Sequence, residues 1–162
     1  MKLIFLDIDG VLNNAHTQKT FERYYFVEDY KIELLQELIE ATDARVVLTS
    51  TWRSGWYAME HVAEPTSSEK KDIRLVCALK EKLQEYNIEL LSYTENFGFR
   101  GEEIDQWLSD WDGETVEAFV ILDDMDALEM EPYSELLIQT SFDDGLTEEH
   151  VQRAIELSKT PK

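Results

Sequence analysis

The sequence predicts a three-layer α/β/α fold built on a parallel sheet of about five strands. Three observations carry that expectation. Short apolar runs alternate with amphipathic stretches of helical period along the chain; several runs end directly in polar or acidic clusters; and composition fits one core in a single domain, residues 1–162. With 43% hydrophobic and 11% aromatic residues the chain has apolar surface for that core, and 31% charged residues do not argue for disorder.

The first strand is KLIFL, residues 2–6, continuously apolar from Leu3 to Leu6 as a strand buried on both faces must be. YKIELLQELIEAT places Ile32, Leu34, Leu35, Leu38 and Ile39 at helical spacing, so a helix is expected within residues 27–42. ARVVL is the second strand. A second helix is expected over residues 69–86, broken at Asn87, with a third strand at 88–91. GEEIDQWLSDW opens with acidic residues that suit a helix N-terminus, FVIL at 119–122 is the fourth strand, and residues 136–139 are the fifth. Thr147 caps a final helix, without the reciprocal bond of a full capping box, because His150 stands where Glu or Gln is usual. Residues 13–30 and 53–72 break the alternation and read as short insertions at the sheet's edge.

The ends of the strands hold the chemistry. In open parallel sheets ligands bind beyond the carboxyl ends of the strands, so residues just past each strand share one crevice. The first strand leads into Asp7 and Asp9, the second into Thr49, Ser50, Thr51 and Arg53, and the fourth into Asp123 and Asp124; Arg100 precedes the fourth strand at a helix start. In a near-extended segment residues i and i+2 face one side, so Asp7 and Asp9 are expected to converge and to need a cation. Turn formation alone would explain any one of these clusters but not their joint placement. Turn and cap chemistry suffices for Asp126, Asp143 and Asp144, and His16, His61 and His150 lack ligand-like spacing. Trp52, Trp56 and Tyr57 suit either base stacking or packing.

Charge and cysteine content exclude several classes. The formal charge of −20 repels nucleic-acid backbones and anionic membranes, so strong autonomous nucleic-acid binding is not expected. Cys77, the single cysteine, permits no internal disulfide and no cysteine-based zinc cluster, and reads as a core residue of a helix. The N-terminal apolar run meets Asp7 too early for a signal peptide, and no later run is long enough for a membrane span; a soluble, cytoplasmic protein is expected.

DIDGV after the first strand, VVLTS at the end of the second, an isolated basic residue and VILDD at the end of the fourth resemble the four ordered motifs of the haloacid-dehalogenase-like (HAD-like) hydrolases. Within that superfamily LDIDGVLN, LTSTWR, FRGEEIDQWL and QTSFDDGLT are similar to the phosphatase-like domains of some RNA-repair proteins. The resemblance implies a Rossmann-like fold with no large cap domain and a magnesium-dependent phosphomonoester hydrolase. Asp7 would be the nucleophile that forms an aspartyl-phosphate, and Asp9 the general acid and base. Mg²⁺ would be held by Asp7, the backbone carbonyl of Asp9, and Asp123 or Asp124. Thr49, or else Ser50, would donate to a phosphoryl oxygen; Arg100, where the family more often has lysine, would hold the phosphate and screen Asp7 from Asp123 and Asp124. Arg53 would add a phosphate contact, with Lys19 and Arg23 nearby. The implied substrate is a phosphorylated small molecule or nucleic-acid end. A phosphotransferase using the same site, and a non-catalytic binding module that keeps the fold, are the alternatives.

Overall fold

The computed structural model describes residues 1–159. Five parallel strands form the sheet: β1 (Lys2–Leu6), β4 (Arg45–Leu48), β5 (Leu90–Tyr93), β6 (Ala118–Asp123) and β7 (Leu137–Gln139). Their spatial order is β5-β4-β1-β6-β7. The chain winds outward from β1 in one direction, then crosses back to start in the other. The reversal lies beside β1, where such folds leave a crevice at the carboxyl edge.

Alternation along β1 divides the core. Ile4 and Leu6 point to one face, where they pack with α1 (Asp29–Thr42), α3 (Ser67–Gln84) and α5 (Glu148–Ser158) through Leu35, Leu79 and Val151. Leu3 and Phe5 point to the other, against Ile104 and Trp107 of α4 (Arg100–Asp110). Phe5 meets Trp107 and Phe119 edge-on, at centroid distances of 5.6 and 5.3 Å. The expected three-layer α/β fold with helices on both faces is therefore the observed one.

Four local expectations need correction. Residues 53–72 are not an irregular insertion: they hold a further helix, α2 (Arg53–His61), and the start of α3, whose N-terminus is fixed by a capping box between Thr66 and Glu69. The third strand begins at Leu90, not Ile88, because Asn87 adopts a left-handed φ of 58° and Ile88 N–H closes the end of α3 on the Leu83 carbonyl. Thr147 and His150 do make a reciprocal box, since Nδ1 of the imidazole accepts from Thr147 N–H at 3.1 Å where a carboxylate would otherwise reach back. Cys77 lies on α3 but only half-buried, 4.0 Å from the Met59 sulfur.

The gap after β1 carries a small hairpin, β2 (Thr20–Phe21) and β3 (Tyr24–Tyr25), turned by Glu22 and Arg23, both at positive φ. It leaves Tyr24 and Tyr25 exposed beside the carboxyl edge of the sheet. Asp126 caps a short 3₁₀ turn through Glu129 N–H, as expected of it.

Candidate active site

Strand register builds the site. Leu6 pairs with Leu48 on one side and Leu122 on the other, and the ladder runs one residue further: Thr49 N–H donates to the Leu6 carbonyl and Asp7 N–H to the Leu122 carbonyl, each at 2.9 Å. Thr49, Asp7 and Asp123 thus occupy one row across three parallel strands, on the α4 side of the sheet. Arg100, the first residue of α4, enters from that side. Its Nη1 lies 3.2 Å from Asp7 Oδ1 and 2.8 Å from Asp123 Oδ2. All three side chains are buried.

The acids that converge are Asp7, Asp123 and Asp124, which offer ligand atoms within 4.8 Å of one another. Asp9 is not the close partner of Asp7 that the i, i+2 rule predicts. After Asp7 the chain turns away from the ladder: Val11 and Leu12 N–H both fold back on the Ile8 carbonyl, and Gly10 takes a φ of 83°. A Cβ on Gly10 would lie 2.3 Å from Asp124 Oδ2, so glycine is what lets this loop and that carboxylate come together. The Asp9 carboxylate instead receives Asn13 Nδ2 at 2.9 Å and Trp52 Nε1 at 3.0 Å, and faces solvent between them. Asn13 also accepts from Gly10 N–H at 3.0 Å, and Thr140 Oγ1 donates to the Gly10 carbonyl at 2.6 Å. Asn13 lies one helical turn from Asp9 in sequence and could have been suspected; Trp52 and Thr140 stand within LTSTWR and QTSFDDGLT, but nothing local ties either to this loop, because only folding brings them to it.

Electrostatics favour a cation here. Burial, and next the Asp123 carboxylate, push the Asp7 carboxyl well above the usual carboxylate range, although Arg100 opposes them. Burial and Asp123 likewise raise Asp124. Burial works against the Arg100 cation, but Asp123 and Asp7 outweigh it and raise its pKa. One guanidinium stands against three carboxylates, and oxygen-only ligands suit a hard divalent ion. The donor set therefore fits Mg²⁺. Asp123 already receives Arg100 and, at Oδ1, Met125 N–H at 3.0 Å. Asp124, half-buried beside Gly10, is the better placed of the pair for a direct metal bond.

The second-strand hydroxyls divide as well. Thr49 is in the row of Asp7, and its Oγ1 is buried with no hydrogen-bond partner among the described residues. Ser50 Oγ accepts from Trp52 N–H at 3.2 Å, closing the turn into α2.

Arg53 is placed otherwise than as a free phosphate ligand. It is 2% exposed, its Nη2 pairs with Glu103 Oε1 at 2.9 Å, and its Nη1 binds Thr94 Oγ1 at 3.0 Å and the Thr49 carbonyl. Glu103 Oε2 in turn accepts from Phe97 N–H at 2.7 Å and Gly98 N–H at 3.3 Å. This buried pair ties the end of β4 to the loop from which Arg100 starts. Lys19 is engaged by Asp29 at 2.8 Å, and Arg23 sits at the hairpin tip.

A doubly wound parallel sheet with an acidic trio, a hydroxyl and one cation at its switch point is the arrangement expected of the HAD-like class that the motifs resemble. More closely, the chain belongs to the family described as HAD domain in Swiss Army Knife RNA repair proteins, whose model matches residues 3–151. No curated protein and no solved structure matches it. Among the described residues no helix is long and apolar enough to cross a membrane.

Proposed function

We propose that this domain is a Mg²⁺-dependent phosphomonoester hydrolase of the cytoplasm, acting through an aspartyl-phosphate on a nucleotide or a phosphorylated nucleic-acid end. The observation that carries the reading is the convergence of Asp7, Asp123 and Asp124 around one guanidinium at the switch point. The family's association with RNA repair supports the substrate class.

Asp7, Asp124 and the Asp9 carbonyl would hold the metal, with Asp123 beside them. When bound, the ion neutralises the converging carboxylates and polarises the phosphoryl group. Thr49 Oγ1 and Arg100 donate to phosphoryl oxygens and hold phosphorus in line with an Asp7 oxygen. That oxygen bonds to phosphorus as the bond to the leaving oxygen breaks, and Asp9 gives the leaving oxygen its proton. Water then attacks the aspartyl-phosphate, Asp9 takes its proton, and Asp7 and inorganic phosphate are released. Asn13 and Trp52, each donating to Asp9, hold that carboxyl in the position both proton transfers require.

An aryl phosphate assay tests the reading. Turnover should vanish with EDTA and return with Mg²⁺; Ca²⁺ should inhibit, because its larger, looser shell admits both oxygens of Asp7 and occupies the nucleophile. Full activity after chelation would end the proposal. Asp9→Asn should lower kcat roughly 10²–10⁴-fold, yet shift the Mg²⁺ titration less than Asp124→Asn does. Equal loss of metal affinity in the two variants would contradict the separate roles given to these carboxylates.

A further inference from the structure

A recess opens on the side of the site that Asp9 borders. It has a volume of about 270 Å³ and is lined by Asp9, Tyr24 of the hairpin, Thr51, Trp52, Ser54, Asp72 and Leu75. Ser54 and Asp72 also wall a second hollow of about 430 Å³, lined further by Tyr57, Glu69, Glu95 and Phe97. The recess lies just below, and the second hollow within, the size range of small-molecule sites, roughly 300–1,000 Å³. The wall is built by α2 lying tightly on α3: a Cβ on Gly55 would meet the Asp72 carbonyl at 2.0 Å, so this residue fixes how closely Ser54 and Asp72 approach.

Location decides what enters. The leaving oxygen must come within hydrogen-bond reach of Asp9, so the rest of the leaving group extends into the recess that Asp9 lines. The lining joins an aromatic ring, Tyr24, 41% exposed, to hydroxyls on Thr51 and Ser54 and a carboxylate on Asp72. An aromatic face with hydrogen-bond acceptors suits a base and its ribose hydroxyls. Charge decides what is refused. Asp72, Glu69 and Glu95 line the two hollows, and the one lining cation, Arg53, is buried against Glu103. A second phosphate there would face carboxylates with no partner.

Resting on the phosphatase reading above, and narrowing its substrate to the nucleotide rather than the nucleic-acid end, whose leaving group carries further phosphates, we infer that this recess is the leaving-group site and that it takes an uncharged nucleoside, so that nucleoside monophosphates are hydrolysed in preference to substrates carrying a second phosphate on the leaving group. Tyr24 and Asp72 are the specificity-determining residues. Asp72 acts mainly by repelling the second phosphate.

The test compares kcat/KM for adenosine 3′-monophosphate and adenosine 3′,5′-bisphosphate with Mg²⁺, in the parent protein, Asp72→Arg and Tyr24→Leu, beside an aryl phosphate. The ratio of the two nucleotide values cancels any general loss of activity. The parent should favour the monophosphate at least about tenfold, and Asp72→Arg should move the ratio towards the bisphosphate by about tenfold, the effect of roughly 1.4 kcal/mol of charge interaction. Tyr24→Leu should raise KM for both nucleotides several-fold. Turnover of aryl phosphate and nucleotides with a ratio that Asp72→Arg leaves unmoved would overturn this inference and leave the phosphatase reading standing. Absence of turnover with every substrate would overturn both.

Discussion

Asp7→Asn should abolish phosphatase turnover, by roughly 10⁴- to 10⁶-fold, the scale of losing a catalytic nucleophile, while the metal-free protein folds at least as stably as its parent. The carboxamide is nearly isosteric and a poor nucleophile, so the chemistry stops without a packing change. The stability half follows from the electrostatics. Burial and Asp123 hold the Asp7 carboxyl above the usual range, so its ionised form costs folding free energy in the absence of a cation. That cost is fully present above the raised folded-state pKa. It disappears as pH falls below the ordinary aspartate range, where the carboxyl is protonated whether the chain is folded or not. Without metal, Asp7→Asn should therefore raise Tm at neutral pH, and the gain should fade at acid pH. With Mg²⁺ the order reverses, because a ligand that binds only the folded state stabilises it in proportion to its affinity, and the variant has lost a ligand. Thermal unfolding with and without Mg²⁺ at two pH values measures all three. Unchanged turnover would remove Asp7 from the chemistry.

Arg53→Ala should destabilise the fold by roughly 3–5 kcal/mol, the cost of leaving one partner of a buried ion pair alone. Glu103 would remain 2% exposed with no guanidinium, still accepting two backbone N–H groups. The Thr49 carbonyl and Thr94 hydroxyl would lose their donor as well. Replacing both residues, Arg53→Met with Glu103→Leu, should recover part of the loss, because no uncompensated charge is then buried. Urea denaturation of the single and double variants checks this. A single variant as stable as the parent, with only KM raised, would restore Arg53 to the phosphate-binding role that its sequence position suggests.

The difference between Arg100 and Arg53 shows where sequence reading stops. Sequence gives both a phosphate contact, Arg53 just past the second strand and Arg100 at the helix start before the fourth. The fold separates them by what each meets: Arg100 enters at the start of α4 and reaches Asp7 and Asp123, whereas Arg53 opens α2 beside Glu103, fifty positions away in the chain. A side chain reaching across such a separation leaves no periodic trace. The same holds for Trp52, whose indole N–H serves Asp9 across 43 positions, and for Thr140, which serves Gly10 across 130.

The sequence by itself determined the α/β class, the order of the five sheet strands and of the helices between them other than α2, and the placing of Asp7, Thr49, Asp123, Asp124 and Arg100 at one edge of the sheet. These are properties of short windows. A buried parallel strand must be continuously apolar, and an ionisable group can follow it only where the strand ends. The tertiary structure alone decided which acids meet. In a parallel ladder Asp7 and Asp123 share a row because Leu6 pairs with Leu122, while Asp9, two residues along the same chain, is carried away by the turn at Gly10 and handed to Asn13 and Trp52. Register and turn geometry are relations between distant segments, fixed by packing both faces of the sheet at once. No window of sequence contains them.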